Sequence, residues 1–360
     1  MSTASRHRSE LLHSALAKVA PGTALREGLE RIVRAKMGAL IVLGDHPAVL
    51  NICSGGFLLD SAYSPQRLSE LAKMDGAIIL GSNEMRIARA NVHLVPDPTT
   101  ATSETGTRHR TAERVARSID VPVVSVSEEM GVIAVYAGRH KHVLQEIGRL
   151  LERANQALQT LERYKLRLDD VTSTLGALEI EDVVTLRDVA VVLQRSEMVR
   201  RISDEIDMMI VELGVDARLL RLQLDELFAG TDLDLDLVVQ DYCVSNDDAD
   251  VDIVLQALQD LDDDQLLDVR AVAACLVPLG PDPDLDQPVQ PRGFRLLARI
   301  PRMTTALATN VIEQFGGLAK VLRATVSDLA QVPGLDEGRA RVIKDALGRL
   351  AETSILEQYG

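Results

Sequence analysis

The sequence predicts an α/β domain, a mixed sheet with flanking helices, followed by an all-α linker domain and a C-terminal tandem helix-hairpin-helix. Three observations predict it. Short β-branched runs, punctuated by Gly, Asp and Asn, stop near residue 136. Apolar residues at three-and-four spacing then run through residues 143–229. The last segment repeats a pattern at an offset of 32 residues. The expected domains are residues 1–142, 143–290 and 291–360.

In the first domain the strand runs are Ala39–Leu43, Ala77–Leu80, Ile87–Val95, Pro122–Ser127 and Val132–Tyr136. Helical patterns lie between some of them, at Leu25–Lys36, Pro65–Lys73 and Arg108–Ser118. Apolar runs bounded by turn residues suit buried strands, and the intervening 3.6-residue periods suit helices packed on a sheet.

In the second domain Leu144, Ile147, Leu151, Ala154, Leu158, Leu161, Leu168 and Leu175 form one stripe, broken by Lys165 and Thr172. A long helix in a bundle fits this better than a coiled coil. Thr231 to Leu237 alternates Asp and Leu. An EF-hand fails there because Leu237 and Cys243 occupy the glycine and terminal glutamate positions. A helix capped by Thr231, with acids in its first turn, is expected instead. Residues 278–293, rich in Pro and Asp, read as a linker.

In the third domain Leu297-Ala-Arg-Ile-Pro-Arg-Met aligns with Leu329-Ala-Gln-Val-Pro-Gly-Leu, and each copy precedes a helical pattern. Two copies suggest two stacked helical hairpins.

Bulk properties exclude several classes. The chain is 46% apolar, enough for a folded core, but only 2% aromatic, so Leu, Ile, Val and Ala must fill it. Cys53, Cys243 and Cys275 are scattered and form no CxxC pair, which points to reduced thiols in the cytoplasm rather than zinc or disulfides. No run of about 18 apolar residues is present, so no membrane span is expected. Arg6 and Arg8 precede a stretch interrupted by His13 and Lys18, unlike a secretory signal. The net charge of −15 divides into +3 for residues 1–149, −21 for 150–291 and +3 for 292–360. The acid is concentrated in the middle, and both ends are free to meet anions.

Three stretches of the first domain offer chemistry. In Lys73-Met74-Asp75-Gly76-Ala77 a helix ends, a carboxylate follows, and glycine opens a buried strand while permitting close approach of a ligand. In Thr107-Arg108-His109-Arg110-Thr111 a helix begins. Free N–H groups there suit phosphate, and cations placed at that end oppose the helix dipole unless an anion sits among them. No P-loop pattern is present. In Ser125-Val126-Ser127-Glu128-Glu129 a strand end supplies a hydroxyl and carboxylates, the oxygen donors that hard divalent cations prefer.

Asp75-Gly76-Ala77 followed by Arg108-His109-Arg110 resembles the signature pair of the diadenylate cyclases. The domain order resembles the DNA-scanning members of that family along essentially the full chain. The resemblance implies that Asp75 binds metal, Mg²⁺ or Mn²⁺, and helps activate a ribose 3′-hydroxyl. It implies catalytic roles for Asp75, Arg108, His109 and Arg110. Gly76, Ala77, Leu94, Thr107 through Thr111 and Ser127 would surround ATP, with Arg108 and Arg110 on its phosphates. Glu128 or Glu129 would be a further metal ligand. Joining two ATP molecules into cyclic di-AMP is symmetric, so two domains must meet face to face, and the resemblance implies an octamer of such pairs.

Val332-Pro333-Gly334-Leu335-Asp336-Glu337-Gly338-Arg339-Ala340-Arg341 looks like a helix-hairpin-helix, in which backbone N–H groups hold a DNA phosphate and a cation assists. Gly334, Gly338, Arg339 and Arg341 are the candidate DNA contacts, with Arg292, Arg295, Arg299 and Arg302 as a further basic cluster. Asp336 sets an acid at the hairpin, and Arg302 stands where the first copy would have glycine. The expected protein is a cytoplasmic, nucleoid-associated cyclase that binds branched DNA without sequence preference. The rival is a DNA-binding scaffold whose nucleotide pocket only senses ATP.

Overall fold

The computed structural model describes residues 3–83, 86–229, 231–243, 248–276 and 283–359. The chain forms two compact units, one of residues 1–156 with 205–222 and the other of residues 157–204 with 223–360.

The first unit is built on an eight-stranded mixed sheet. Its strands are β1 Ala39–Leu43, β2 Cys53–Ser54, β3 Phe57–Ala62, β4 Ala77–Leu80, β5 Arg86–Leu94, β6 Val123–Val126, β7 Ile133–Ala137 and β8 His140–Val143. The order is β2-β5-β4-β1-β6-β7-β8, with β3 also paired to β5. Only β1 and β4 run parallel among the paired strands, with Leu40 opposite Ala77 and Leu43 opposite Leu80. Each residue of β1 and β4 is buried, which is why these strands read as unbroken apolar runs.

Alternation along β1 divides the core. Ile41 and Leu43 face a layer with α1 (Thr3–Val19) and α2 (Ala24–Arg34), completed by Val211. Leu40 and Val42 face the opposite layer, which includes Ala112, Val115 and Ala116 of a third helix, Thr107–Ile119. Two short helices lie between strands, α3 Pro47–Asn51 and α4 Pro65–Leu71; the helix Thr107–Ile119 is α5.

The five expected strands are all present. The strands β2, β3 and β8 were not expected from sequence. β8 reads His-Lys-His-Val and carries no apolar pattern, while β3 begins Phe57-Leu58-Leu59 but leaves that short apolar run exposed and ends Asp-Ser-Ala.

Two long helices, α6 Ile147–Glu181 and α7 Leu186–Leu213, are followed by α8 Arg218–Phe228, α9 Thr231–Tyr242, α10 Asp248–Asp260, α11 Asp263–Leu267 and α12 Val269–Leu276. α6 buries Leu158, Leu161, Leu168 and Leu175 within this one chain, as a bundle helix does. A helix does start at Thr231, while its capping side chain lies outside the described residues. Of the expected linker, residues 278–282 lie outside the described residues. The part that follows is not a free tether. Leu186 N donates to Gln287 O at 2.9 Å, Arg187 N to Leu285 O at 2.9 Å and Val289 N to Val184 O at 3.0 Å, pinning it to the start of α7.

The last segment forms α13 Phe294–Ala298, α14 Thr305–Phe315, α15 Leu318–Arg323, α16 Val326–Leu329 and α17 Glu337–Tyr359 around one core. The internal repeat is structural. Leu297 and Leu329 are both fully buried, and Ile300 and Val332 are buried too. Arg302 and Gly334 both have positive φ, 64° and 89°. Thr304 Oγ1 accepts from Leu307 N at 3.3 Å, and Asp336 Oδ1 accepts from Arg339 N at 2.7 Å.

Candidate active site

The strand register brings three separated sequence stretches to one end of the sheet. Ala77 opens β4 opposite Leu40 near the start of β1, and pairs on its other side with Val92 near the end of β5. Val126 closes β6 opposite Ala39. A cleft of about 680 Å³ lies at this end. Asp75, Gly76, Ala77 and Leu94 line it from β4 and β5. Thr107, Arg108, His109 and Thr111 line it from the first turns of α5, and Ser127, Glu128 and Glu129 from the turn after β6. Arg110 alone among the candidates is not on its wall; it is exposed on α5.

Gly76 has φ 115°, and a Cβ there would lie 2.8 Å from the Asn91 carbonyl carbon. The close approach expected from a ligand is made first by the backbone of β5. Asp75 is exposed and has no hydrogen-bond or ion-pair partner among the described residues. Its carboxylate is free for a ligand of the cleft.

The first turn of α5 is set by a loop that the helix itself holds. Glu113 is buried and accepts from Ser103 N at 2.9 Å and Ser103 Oγ at 3.2 Å, as well as from Thr102 Oγ1. Arg114 Nε donates to Thr100 O at 3.0 Å and Arg117 Nη1 to Ala101 O at 2.9 Å. Burial pushes the Glu113 carboxyl up, but the Thr102 and Ser103 bonds and Arg117 outweigh it and hold it below its ordinary value. Gly106 precedes α5 with no side-chain cap, so the helix's first amides remain available.

Arg108 is placed by Gly38. A Cβ at position 38 would fall well inside contact distance of the Arg108 guanidinium, so the two occupy adjoining space only because residue 38 has no side chain. His109 is half-buried. Its Nδ1 lies 3.0 Å from Tyr136 Oη and 2.9 Å from Ser125 Oγ. Burial is the main reason its imidazole is held below the ordinary histidine value, with Lys141 and Arg108 adding to the shift and Glu104 opposing it.

Asp75, Glu128 and Glu129 supply hard oxygen donors to one wall system, which suits Mg²⁺ or Mn²⁺. Among the described residues no three His, Cys, Asp or Glu side chains converge as a closed metal cluster.

Leu40, Val92, His93 and Gly106 also line the cleft and were not singled out from sequence. Leu40 and Val92 are indistinguishable from core residues in sequence. His93 carried a signal, since it is the exposed polar position between buried Val92 and Leu94.

At the other end of the chain Gly334, Gly338, Arg339 and Arg341 are exposed together at the second hairpin. Asp336 is exposed beside them, and its Oδ1 caps the following helix by accepting from Arg339 N at 2.7 Å. Arg299 and Arg302 are exposed, but Arg295 leaves the basic cluster. It is 1% exposed and its Nη2 binds Glu179 Oε2 at 2.5 Å, with Nη1 donating to Thr172 O at 3.3 Å. Asp241, also buried, accepts from the N–H groups of Gly293, Phe294 and Arg295 at 2.7, 2.6 and 3.0 Å.

Among the described residues no helix is long and apolar enough to cross a membrane. Three family models match the chain in order. They are the DisA bacterial checkpoint controller nucleotide-binding family over residues 26–141, the DisA linker region over 144–278 and a SAM-like helix-hairpin-helix tandem over 294–349. The chain is 55% identical to the DNA integrity scanning protein DisA of Acidothermus cellulolyticus, covering 98% of this chain and 97% of that one. It is 53% identical to DisA of Streptomyces coelicolor, covering 97% and 94%. Against DisA of Kineococcus radiotolerans the figures are 54%, 98% and 99%. With this identity along nearly the whole length, and with family models for its nucleotide-binding and linker regions in the same order, the chain belongs to the DisA family.

Proposed function

We propose that the protein is a diadenylate cyclase that condenses two ATP into cyclic di-AMP and two pyrophosphates, and that its C-terminal hairpins bind DNA. The observation that carries the cyclase reading is the meeting of Asp75 with Arg108 and His109 in one cleft, from segments more than 30 residues apart in sequence. Family membership supports it.

The chemistry asks mainly for position and charge neutralisation. The first amides of α5 and the Arg108 guanidinium take the triphosphate, and Leu94 and Ala77 form an apolar wall for the base. Arg110 stands outside this wall, and on this reading it serves the phosphates of the facing site. Each ribose 3′-oxygen bonds to the α-phosphorus of the other nucleotide as the bond to pyrophosphate breaks, and each 3′-hydroxyl loses its proton. Two such half-sites must face each other, so the working unit is at least a pair of chains; the family resemblance supports an octamer. Asp75, with Glu128 or Glu129, would hold Mg²⁺ or Mn²⁺, which supplies charge neutralisation at the phosphates.

On this reading residues 1–142 carry the cyclase part, 143–290 the linker and 291–360 the DNA-binding part, at work in the cytoplasm on branched DNA at the nucleoid, although the compact units divide otherwise, with residues 205–222 joined to the first. Incubation with ATP and Mn²⁺ or Mg²⁺, read by mass spectrometry, should yield cyclic di-AMP. ATP binding without that product would leave a nucleotide sensor and sink the cyclase reading.

A further inference from the structure

The C-terminal repeat departs from itself at one position, and the departure borders a cleft that phosphate binding does not need. The left-handed residue of the second hairpin is Gly334; that of the first is Arg302, with φ 64°. A long side chain there strains the backbone where glycine would not. No contact of that side chain offsets the strain, since Arg302 is exposed and has no hydrogen-bond or ion-pair partner among the described residues. Strain held without an internal reason points to a ligand.

Arg302 stands on the rim of a cleft of about 520 Å³. Ile300 and Met303 wall it from the first hairpin, Leu307 from α14, Leu335 from the second hairpin and Val342 from α17. Its two sides are tied together. Asn310 Nδ2 of α14 donates to Pro333 O at 3.0 Å, and a Cβ at Gly334 would lie 3.0 Å from Leu307 Cδ2, so the second turn rests closely on α14. Val342 is 51% exposed, which leaves the apolar wall open to solvent. The volume falls within the roughly 300–1,000 Å³ of small-molecule sites.

The charges around the cleft choose its occupant. Arg302 and Arg339 line it, and Arg299 and Arg341 are exposed on the same two segments, so a polyanion is attracted. Asp336 lines it too, which disfavours a phosphate inside but suits the N–H edge of a nucleobase. Arg339 Nη1 donates to Gly334 O at 3.4 Å, whereas the planar guanidinium of Arg302 is free to lie over a flat ring. A nucleobase on its phosphate chain supplies both partners, a flat ring for the cleft and anions for the arginines. A base within a duplex shows only its edge, so the one that enters is unpaired.

We propose that the cleft between the two hairpins takes one unpaired nucleobase of bound DNA, with the Arg302 guanidinium stacked on its face and the surrounding arginines on the flanking phosphates. This rests on the reading of the hairpins as a DNA-binding module. It gives that module a preference for places where bases are already unpaired, as at a branch point, without any reading of sequence.

The test titrates the full chain with DNA duplexes of one sequence and length: one fully paired, one with a bulged adenine and one with an abasic residue at the bulge. Salt is held constant, because phosphate contacts make affinity depend on it. Fluorescence anisotropy should show the wild type binding the bulged adenine about 3- to 10-fold more tightly than the abasic bulge, the lower range for a stacked base because no aromatic ring lines the cleft. In Arg302→Lys, which keeps the charge and loses the plane, that ratio should fall towards one. Val342→Gln, at an exposed helix position, should lower it as well and serves if the strained turn does not tolerate lysine. Any loss of phosphate attraction common to both forms cancels in the ratio. A ratio that both variants keep overturns the proposal. So does a preference erased by micromolar deoxyadenosine monophosphate, which would give the cleft to free nucleotides. Equal binding of the bulged and abasic forms by the wild type overturns this assignment alone and leaves the hairpins as a phosphate-binding module. Failure to bind any of the duplexes overturns that reading too.

Discussion

Arg302 and Gly334 hold the same left-handed backbone position in the two C-terminal hairpins, 32 residues apart, one with a long side chain and one with none. At Gly334 an added Cβ would also lie 3.0 Å from Leu307 Cδ2. Gly334→Ala should therefore destabilise the hairpin by roughly 1–2 kcal/mol, the cost of a left-handed residue that carries a Cβ. It should weaken binding of branched DNA while leaving nucleotide affinity alone. Denaturant titration and gel shifts at two salt concentrations check this; an unchanged denaturation midpoint would mean that the turn absorbs the methyl group.

Gly38→Ala should weaken ATP binding although residue 38 is not on the cleft wall, because the new methyl group displaces the Arg108 guanidinium. Arg108→Ala should lower affinity at least as much. Arg110→Ala should change binding to a single site less than Arg108→Ala does, since Arg110 is off the wall. Equal losses for Arg108→Ala and Arg110→Ala, measured by calorimetry, would place both on the same nucleotide.

Asp75→Asn should abolish formation of cyclic di-AMP without lowering thermal stability. The carboxylate is exposed and unpartnered among the described residues, so its replacement removes no contact of the fold. A cooperative melting curve like the wild type's, with no product by mass spectrometry, is the expected pair of results.

Removing one member of the Arg295–Glu179 pair should be costly. Arg295→Ala leaves Glu179 buried without its guanidinium, a change that typically costs about 3–5 kcal/mol. The loss should appear as a lowered denaturation midpoint of the full chain. For the same reason, deletion of residues 292–360 would expose the linker's own core, and point changes at the hairpin test DNA binding more cleanly.

Stability should depend on pH through His109 in one direction. Burial holds its imidazole below the ordinary value, with Glu104 opposing the shift and Lys141 and Arg108 adding to it. The unfolded chain takes up this proton at higher pH, near 6.5, so the folded state loses stability as pH falls below that point. Denaturant titration from pH 8 to pH 5 checks it; His109→Gln should flatten part of that fall, and an unchanged slope would remove His109 as its source.

The core of the α/β domain was readable because β1 and β4 are buried on both faces and announce themselves as apolar runs. The edge strand β8 was silent because its residues answer to solvent. Asp75, Arg108 and Ser127 could be named as one site only through a family pattern, since local spacing says nothing of strand register. Arg295 shows the opposite failure. In sequence it is one of four arginines with no acid among them; in space its partner is Glu179, on a helix 116 residues earlier. Asp336 reads in sequence as an acid at the hairpin; its bond from Arg339 N, which makes it a helix cap as well, was not read there.

The return of the chain in residues 205–222 makes the nucleotide-binding unit discontinuous. Val211 of α7 sits in the same apolar layer as Leu29 and Ile41, and Glu212 accepts from Gln145 N at 2.6 Å and from His142 Nε2 at 2.7 Å. A gene fragment that stops after the last strand would encode a sheet with part of its cover missing. The unit can be excised or exchanged between relatives only by carrying the distant stretch with it, so recombination at the obvious boundary near residue 142 would yield an incomplete fold.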